Sequence, residues 1–122
     1  MINVIYHKTY NRVTIEGHAL SGEPGHDLVC AGCSTLAYTL AANVRNLEIQ
    51  EQVRDAVVTL EPGKAEISCK PKRKYTSIVA IIFYSVCVGF ELLARDNPQY
   101  ISYEIRQWPG IENQGMKVLW FR

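Results

Sequence analysis

Two histidines, two cysteines and several glycines crowd into one stretch: Gly17-His18-Ala19-Leu20-Ser21-Gly22-Glu23-Pro24-Gly25-His26-Asp27-Leu28-Val29-Cys30-Ala31-Gly32-Cys33-Ser34. Asp27 reads as the N-cap of a helix, which puts Cys30 at the third helical position. Helix amides and the macrodipole favour a thiolate there. A thiolate is a nucleophile, and a nearby imidazole can hold it and later protonate a leaving group. His18 is the candidate partner. The loop between them, with Gly22 and Gly25, has the freedom to fold over the thiol.

Each residue also has a plainer use. A cysteine near a helix start can be a small buried residue. His18 can be a loop hydrogen-bonder, Asp27 only a cap, and Ser34 a surface hydroxyl. Two rival chemistries use the same residues. Cys30-Ala31-Gly32-Cys33 is a C-x-x-C, the redox arrangement of thioredoxin-like proteins. No aromatic residue precedes Cys30 and no proline lies between the cysteines, so that reading lacks its usual companions. His18, His26, Cys30 and Cys33 could instead bind zinc, but there is no second C-x-x-C and the histidine spacing is irregular. The expectation is no metal and no cofactor.

The elements that must position these residues follow from periodicity. Val4 and Tyr6, then Val13 and Ile15, alternate about a turn at Asn11, which predicts a hairpin. Leu36, Leu40, Val44 and Leu47 recur at helical spacing. Val53, Val57 and Val58 mark a third strand, and Ala65, Ile67 and Cys69 a fourth, with Pro62-Gly63 turning between them. Residues 76–97 mix strand-forming Ile78, Val79, Ile81 and Ile82 with the helical spacing of Phe83, Val86, Phe90 and Leu93. Their length, a cap at Thr76 or Ser77 and a stop at Pro98 predict a helix. Tyr100 and its successors alternate as a last strand. The ββαββαβ order predicts an α+β fold, a mainly antiparallel sheet with two packed helices. Residues 107–122 form a C-terminal extension in which only 117–121 carry a strand pattern.

Composition narrows the function. The chain has 122 residues, 48% hydrophobic and 20% charged, which fits one globular domain. Thirteen Lys and Arg against twelve Asp and Glu give a net charge of +1, so no direct nucleic-acid binding is expected. The run Lys70-Pro71-Lys72-Arg73-Lys74 reads as a solvated loop, with an RNA or acidic partner as the rival. The apolar stretch 78–90 falls short of the about 20 residues needed to span a bilayer. The N-terminus reads as a strand rather than a leader, so the expectation is a cytoplasmic chain with reduced thiols. The second helix is apolar round most of its circumference. That predicts a homodimer, with positions such as Val86 and Phe90 facing the partner.

The stretch also resembles a known family, the ribosomal-processing cysteine proteases called Prp. Their signature is G-H-A, a glycine-bearing loop, then G-x-D-[IV]-V-C-A-[AG]-x-S. It is matched by Gly17-His18-Ala19, Gly22 and 25–34, with Leu28 in the Ile/Val place and Cys33 where an aliphatic residue is common. The resemblance extends more loosely over residues 1–106. It implies a homodimeric α+β endopeptidase with Cys30 as nucleophile and His18 as general base and acid. Asp27 and Ser34 would support the site, and the loop with Gly17, Gly22 and Gly25 would cover bound peptide. Family members remove an N-terminal extension from a large-subunit ribosomal protein. A phage capsid or scaffold protein with a similar motif is an alternative substrate, and a non-enzymatic ribosome-binding module using the basic run is a third reading.

Overall fold

The structure, a computed structural model, describes residues 1–17 and 26–107, with only the backbone at 26 and 27. Alternation makes the first hairpin. Val4 and Tyr6 of β1 (Ile2–His7) and Val13 and Ile15 of β2 (Arg12–Glu16) are buried, while their neighbours face outward. Asn11 sits between them at φ 47°, a left-handed conformation that asparagine tolerates better than most residues. It follows a 3-10 turn, Lys8–Tyr10. β3 (Val53–Glu61) and β4 (Lys64–Pro71) form a second hairpin through Pro62-Gly63, with a bulge between Arg54 and Val57.

The strands assemble into one sheet in the order β3-β4-β2-β1-β5, where β5 is Ile101–Arg106. Three pairings are antiparallel and β1·β5 is parallel. The expected α+β architecture is therefore present, with a mixed, mostly antiparallel sheet. The parallel pair arises because α2 (Thr76–Asp96) carries the chain from β4 across to β5. A crossover of that kind returns a strand in the direction of the one it left. α1 (His26–Ile49) makes the corresponding crossover from β2 to β3. α1 lies against β3 and β4, α2 lies against β5, and the two helices pack on each other. Gly89 permits the helix contact: a Cβ there would stand 2.6 Å from Leu36 Cδ2.

Four sequence expectations need correction. α1 begins at His26, so Asp27 lies inside its first turn rather than before it, and Cys30 is the fifth helical residue. Thr76 and Ser77 also lie inside their helix. The Thr76 hydroxyl donates to the Arg73 carbonyl at 3.0 Å instead of capping the helix. The helical segment Arg73–Asp96 is long and apolar enough to cross a bilayer by length and composition; the count from sequence stopped at Phe90, whereas helical backbone continues to Asp96. Its inner face is nevertheless part of the core, with Val79, Phe83, Cys87 and Phe90 almost wholly buried and Phe83 stacked on Tyr6. Phe90 thus packs within this chain and is no interface residue, while Val86 is half-buried. The 117–121 strand lies outside the described residues.

Candidate active site

The other cysteines are core. Cys33, Cys69 and Cys87 are 6%, 1% and 1% exposed, whereas Cys30 is half-buried. Burial pushes the Cys33 and Cys69 thiols up to about 11 each and Cys87 to about 12. A thiol in apolar surroundings loses the hydration its thiolate needs. Cys87 is also hydrogen-bonded to Tyr103. The thiol best placed for solution chemistry is therefore Cys30.

Cys30 opens onto a cleft of about 430 Å³ between α1 and the β3–β4 hairpin. Along α1 the cleft follows Cys30, Ser34 and Tyr38, one helical turn apart each. That stripe is about 12 Å long, enough for roughly three to four residues of extended peptide. Opposite stand Leu60, Glu61, Pro62, Gly63 and Lys64, and the apolar floor includes Ile2, Ile15, Ala37 and Ala65.

Gly17 anchors this arrangement. It follows β2, lines the cleft, and donates its N–H to the Gly63 carbonyl at 3.0 Å. Its φ is +115°, and a Cβ would run into the carbonyl oxygen of Met1. The stem of the glycine loop is thus fixed between the chain start and the β3–β4 turn. Its Glu16 neighbour pairs with Lys64 in the β2–β4 ladder, which brings the turn to this place.

Of the residues singled out from sequence, Gly17, Cys30, Cys33 and Ser34 line the cleft. His18, Gly22 and Gly25 lie outside the described residues, as does the side chain of Asp27. Among the described residues no three His, Cys, Asp or Glu side chains are grouped to hold a metal ion. Sequence reasoning missed Tyr38, Leu60 and the 61–64 turn. The turn was legible as a turn, but its place beside Cys30 depends on long-range pairing between β2 and β4.

The family model described as "Cysteine protease Prp" matches residues 1–102. No curated protein matches the chain. A crystal structure of SMU.848 from Streptococcus mutans is similar, with 29% identity, 87% of this chain and 92% of that chain covered, and a TM-score of 0.61. Two Staphylococcus aureus structures share the fold. One, described as an essential ribosomal processing protease Prp in complex with a substrate peptide, has 19% identity, 86% and 97% coverage and a TM-score of 0.62. The other, with a covalently linked product peptide, has 21% identity, 86% and 97% coverage and a TM-score of 0.60.

Proposed function

The chain belongs to the cysteine protease Prp family, and from that membership we propose that it removes an N-terminal extension from a large-subunit ribosomal protein. Cys30 is the nucleophile and His18 the acid and base. The observation that carries the reading is the position of Cys30: the one half-exposed cysteine, at the head of α1, opening onto a cleft long enough for a peptide.

In this mechanism His18 takes the Cys30 thiol proton, and Cys30 Sγ attacks the scissile carbonyl carbon. The C–N bond then breaks as the His18 imidazolium protonates the departing amine. Water then cleaves the thioester, and the histidine takes the water's proton. Amides of the first α1 turn lack helical acceptors, so developing negative charge beside Cys30 has donors close by. Asp27 and Ser34 support the pair, and the loop with Gly22 and Gly25 covers the substrate. The two Staphylococcus structures, described as a ribosomal processing protease, favour a ribosomal substrate over a phage capsid or scaffold protein, and a ribosomal substrate implies a cytoplasmic protein. The redox alternative requires Cys33 as a second exchanging thiol. That thiol is buried and held protonated, up to about 11, which opposes the role.

Incubation with an extended ribosomal precursor and with a capsid or scaffold precursor, sized by mass spectrometry, tests the assignment. Cleavage of the ribosomal precursor that is lost in Cys30→Ala is the expected result. Cleavage of the phage substrate alone overturns the ribosomal role, and undiminished cleavage by Cys30→Ala overturns the nucleophile.

A homodimer completes the proposal. Ile78, Ile81, Ser85, Val88 and Leu92 alternate at spacings of three and four along the outer side of α2. Ile78, Ile81 and Leu92 are 48%, 62% and 39% exposed. A second α2 covers such a stripe through a two-fold contact.

A further inference from the structure

The near-neutral total charge conceals a separation of charge along the strands. Register puts Arg106, His7 and Arg12 side by side across β5, β1 and β2, with Ser68 of β4 next in the row. Lys70 lies two residues beyond Ser68 on the same strand and pairs with Arg54 of β3. Residues opposite each other across a ladder, or two apart along a strand, share a face. These side chains therefore form a band across all five strands on the face away from the helices. At strand spacing of about 4.8 Å the band is about 19 Å wide. Lys8 adjoins it at the end of β1, and Lys72, Arg73 and Lys74 extend it beyond the end of β4.

Carboxylates offset part of this charge. Glu66 lies 3.9 Å from Arg12, Glu104 is 3.1 Å from Arg106, and Asp55 is 3.6 Å from Lys70. Glu51 at the exit of α1 stands near Lys72, whose N–H bonds the Gln52 carbonyl. Eight cations thus face four carboxylates, and Arg54, Lys72 and Arg73 make no ion pair among the described residues. Tyr10 is 50% exposed beside the band, with the Arg12 guanidinium 5.8 Å from its ring centre.

We propose that this end of the sheet is an RNA-binding surface, in which the band and the 72–74 run take the phosphate backbone and Tyr10 stacks on a base. The breadth of the cationic area suits a polyanion rather than a single ion. The exposed aromatic favours RNA over an acidic protein, because stacking on unpaired bases is a use an acidic peptide does not have. His7 is kept below the usual histidine range by burial first and then by Arg12 and Arg106; at neutral pH it offers an N–H rather than a charge. Cys30 lies towards the other end of the strands, about 20 Å away by strand length. Bound RNA would leave the cleft open, so a nucleoprotein could be held at one end while its protein chain enters the other.

Binding of a labelled 20-nucleotide single-stranded RNA to the full chain, read by fluorescence anisotropy across salt concentrations, tests this independently of protease activity. About four phosphate contacts predict a slope near 2.8 in log Kd against log salt. Lys72→Glu/Arg73→Glu/Lys74→Glu should weaken binding at least tenfold and flatten that slope. Tyr10→Ala should weaken it about fivefold or more with the slope unchanged; it also serves if the triple variant fails to fold. Three results would each overturn the proposal: no RNA binding at low salt, equal affinity in wild type and folded variants, or equal binding of a polyglutamate peptide.

Discussion

Gly17→Ala should disable the protein through the fold and the site together. An L-residue in a left-handed conformation costs about 1–2 kcal/mol, and Gly17 has φ +115°. The added Cβ meets backbone, the Met1 carbonyl, and not a flexible side-chain tip that could swing away. Relief therefore has to come from moving the start of β1 or the end of β2. The first threatens Ile2 N–H to Tyr100 O at 2.9 Å, the second Gly17 N–H to Gly63 O at 3.0 Å. Each such bond is worth about 1 kcal/mol net. With one of these bonds lost, the combined loss is about 2–3 kcal/mol, a large share of the roughly 5–15 kcal/mol that stabilises a domain. For a chain of this length that is a fall in Tm of about 8–12 °C. Circular dichroism gives the melting temperature. Peptide cleavage at 20 °C, where the variant remains folded, gives the separate effect on the site, expected as a loss of tenfold or more because the loop carrying His18 starts at this residue. A variant that melts within about 3 °C of wild type and cleaves at the same rate would refute the argument that Gly17 fixes the loop.

The same structure sets the remaining expectations. Iodoacetamide at pH 8 should label Cys30 alone in the folded protein, with Cys33, Cys69 and Cys87 labelled only after denaturation, as peptide mapping will show. Cys33→Ala should retain peptidase activity, because a cysteine protease needs one thiol; loss of cleavage without loss of fold would favour the redox reading. Stability should fall as pH rises from about 9 towards 11. Burial raises Cys33, Cys69 and Cys87 above the ordinary thiol value of 9.0 in the folded state, so the unfolded chain releases these protons first. Each group contributes a slope of about 1.4 kcal/mol per pH unit in that window, and urea titrations that show no alkaline decline would contradict the burial. Phe90→Ala should cost about 3–5 kcal/mol whatever the protein concentration, since Phe90 is 0% exposed within one chain; Ile81→Lys should leave the fold intact and give a monomer by light scattering.

Local sequence determined the elements. Alternation at Val4, Tyr6, Val13 and Ile15, the Pro62-Gly63 turn and the helical spacing of Leu36, Leu40 and Val44 are short-range signals, and each element formed where they pointed. The helix starts were less legible. Asp27 and Thr76 have the chemistry of caps, yet both fall within a first turn, because the exact start depends on how the preceding chain approaches. Cys30 was legible as a candidate nucleophile from its neighbours, since the 17–34 motif is contiguous.

Tertiary structure decided everything that joins distant segments. Pairing of β2 with β4 brought the 61–64 turn to Gly17 and gave Cys30 the far wall of its cleft. Crossovers through both helices fixed the strand order and made β5 parallel to β1. Packing divided α2 into an inner face, where Phe90 is buried, and an outer stripe at Ile78, Ile81 and Leu92, although the sequence is apolar on both. The same register gathered Arg12, Arg54, Lys70 and Arg106 at one end of a chain whose charges nearly cancel. Composition counts charges and periodicity counts faces, but neither carries the pairing of strands, and that pairing determines which residues meet.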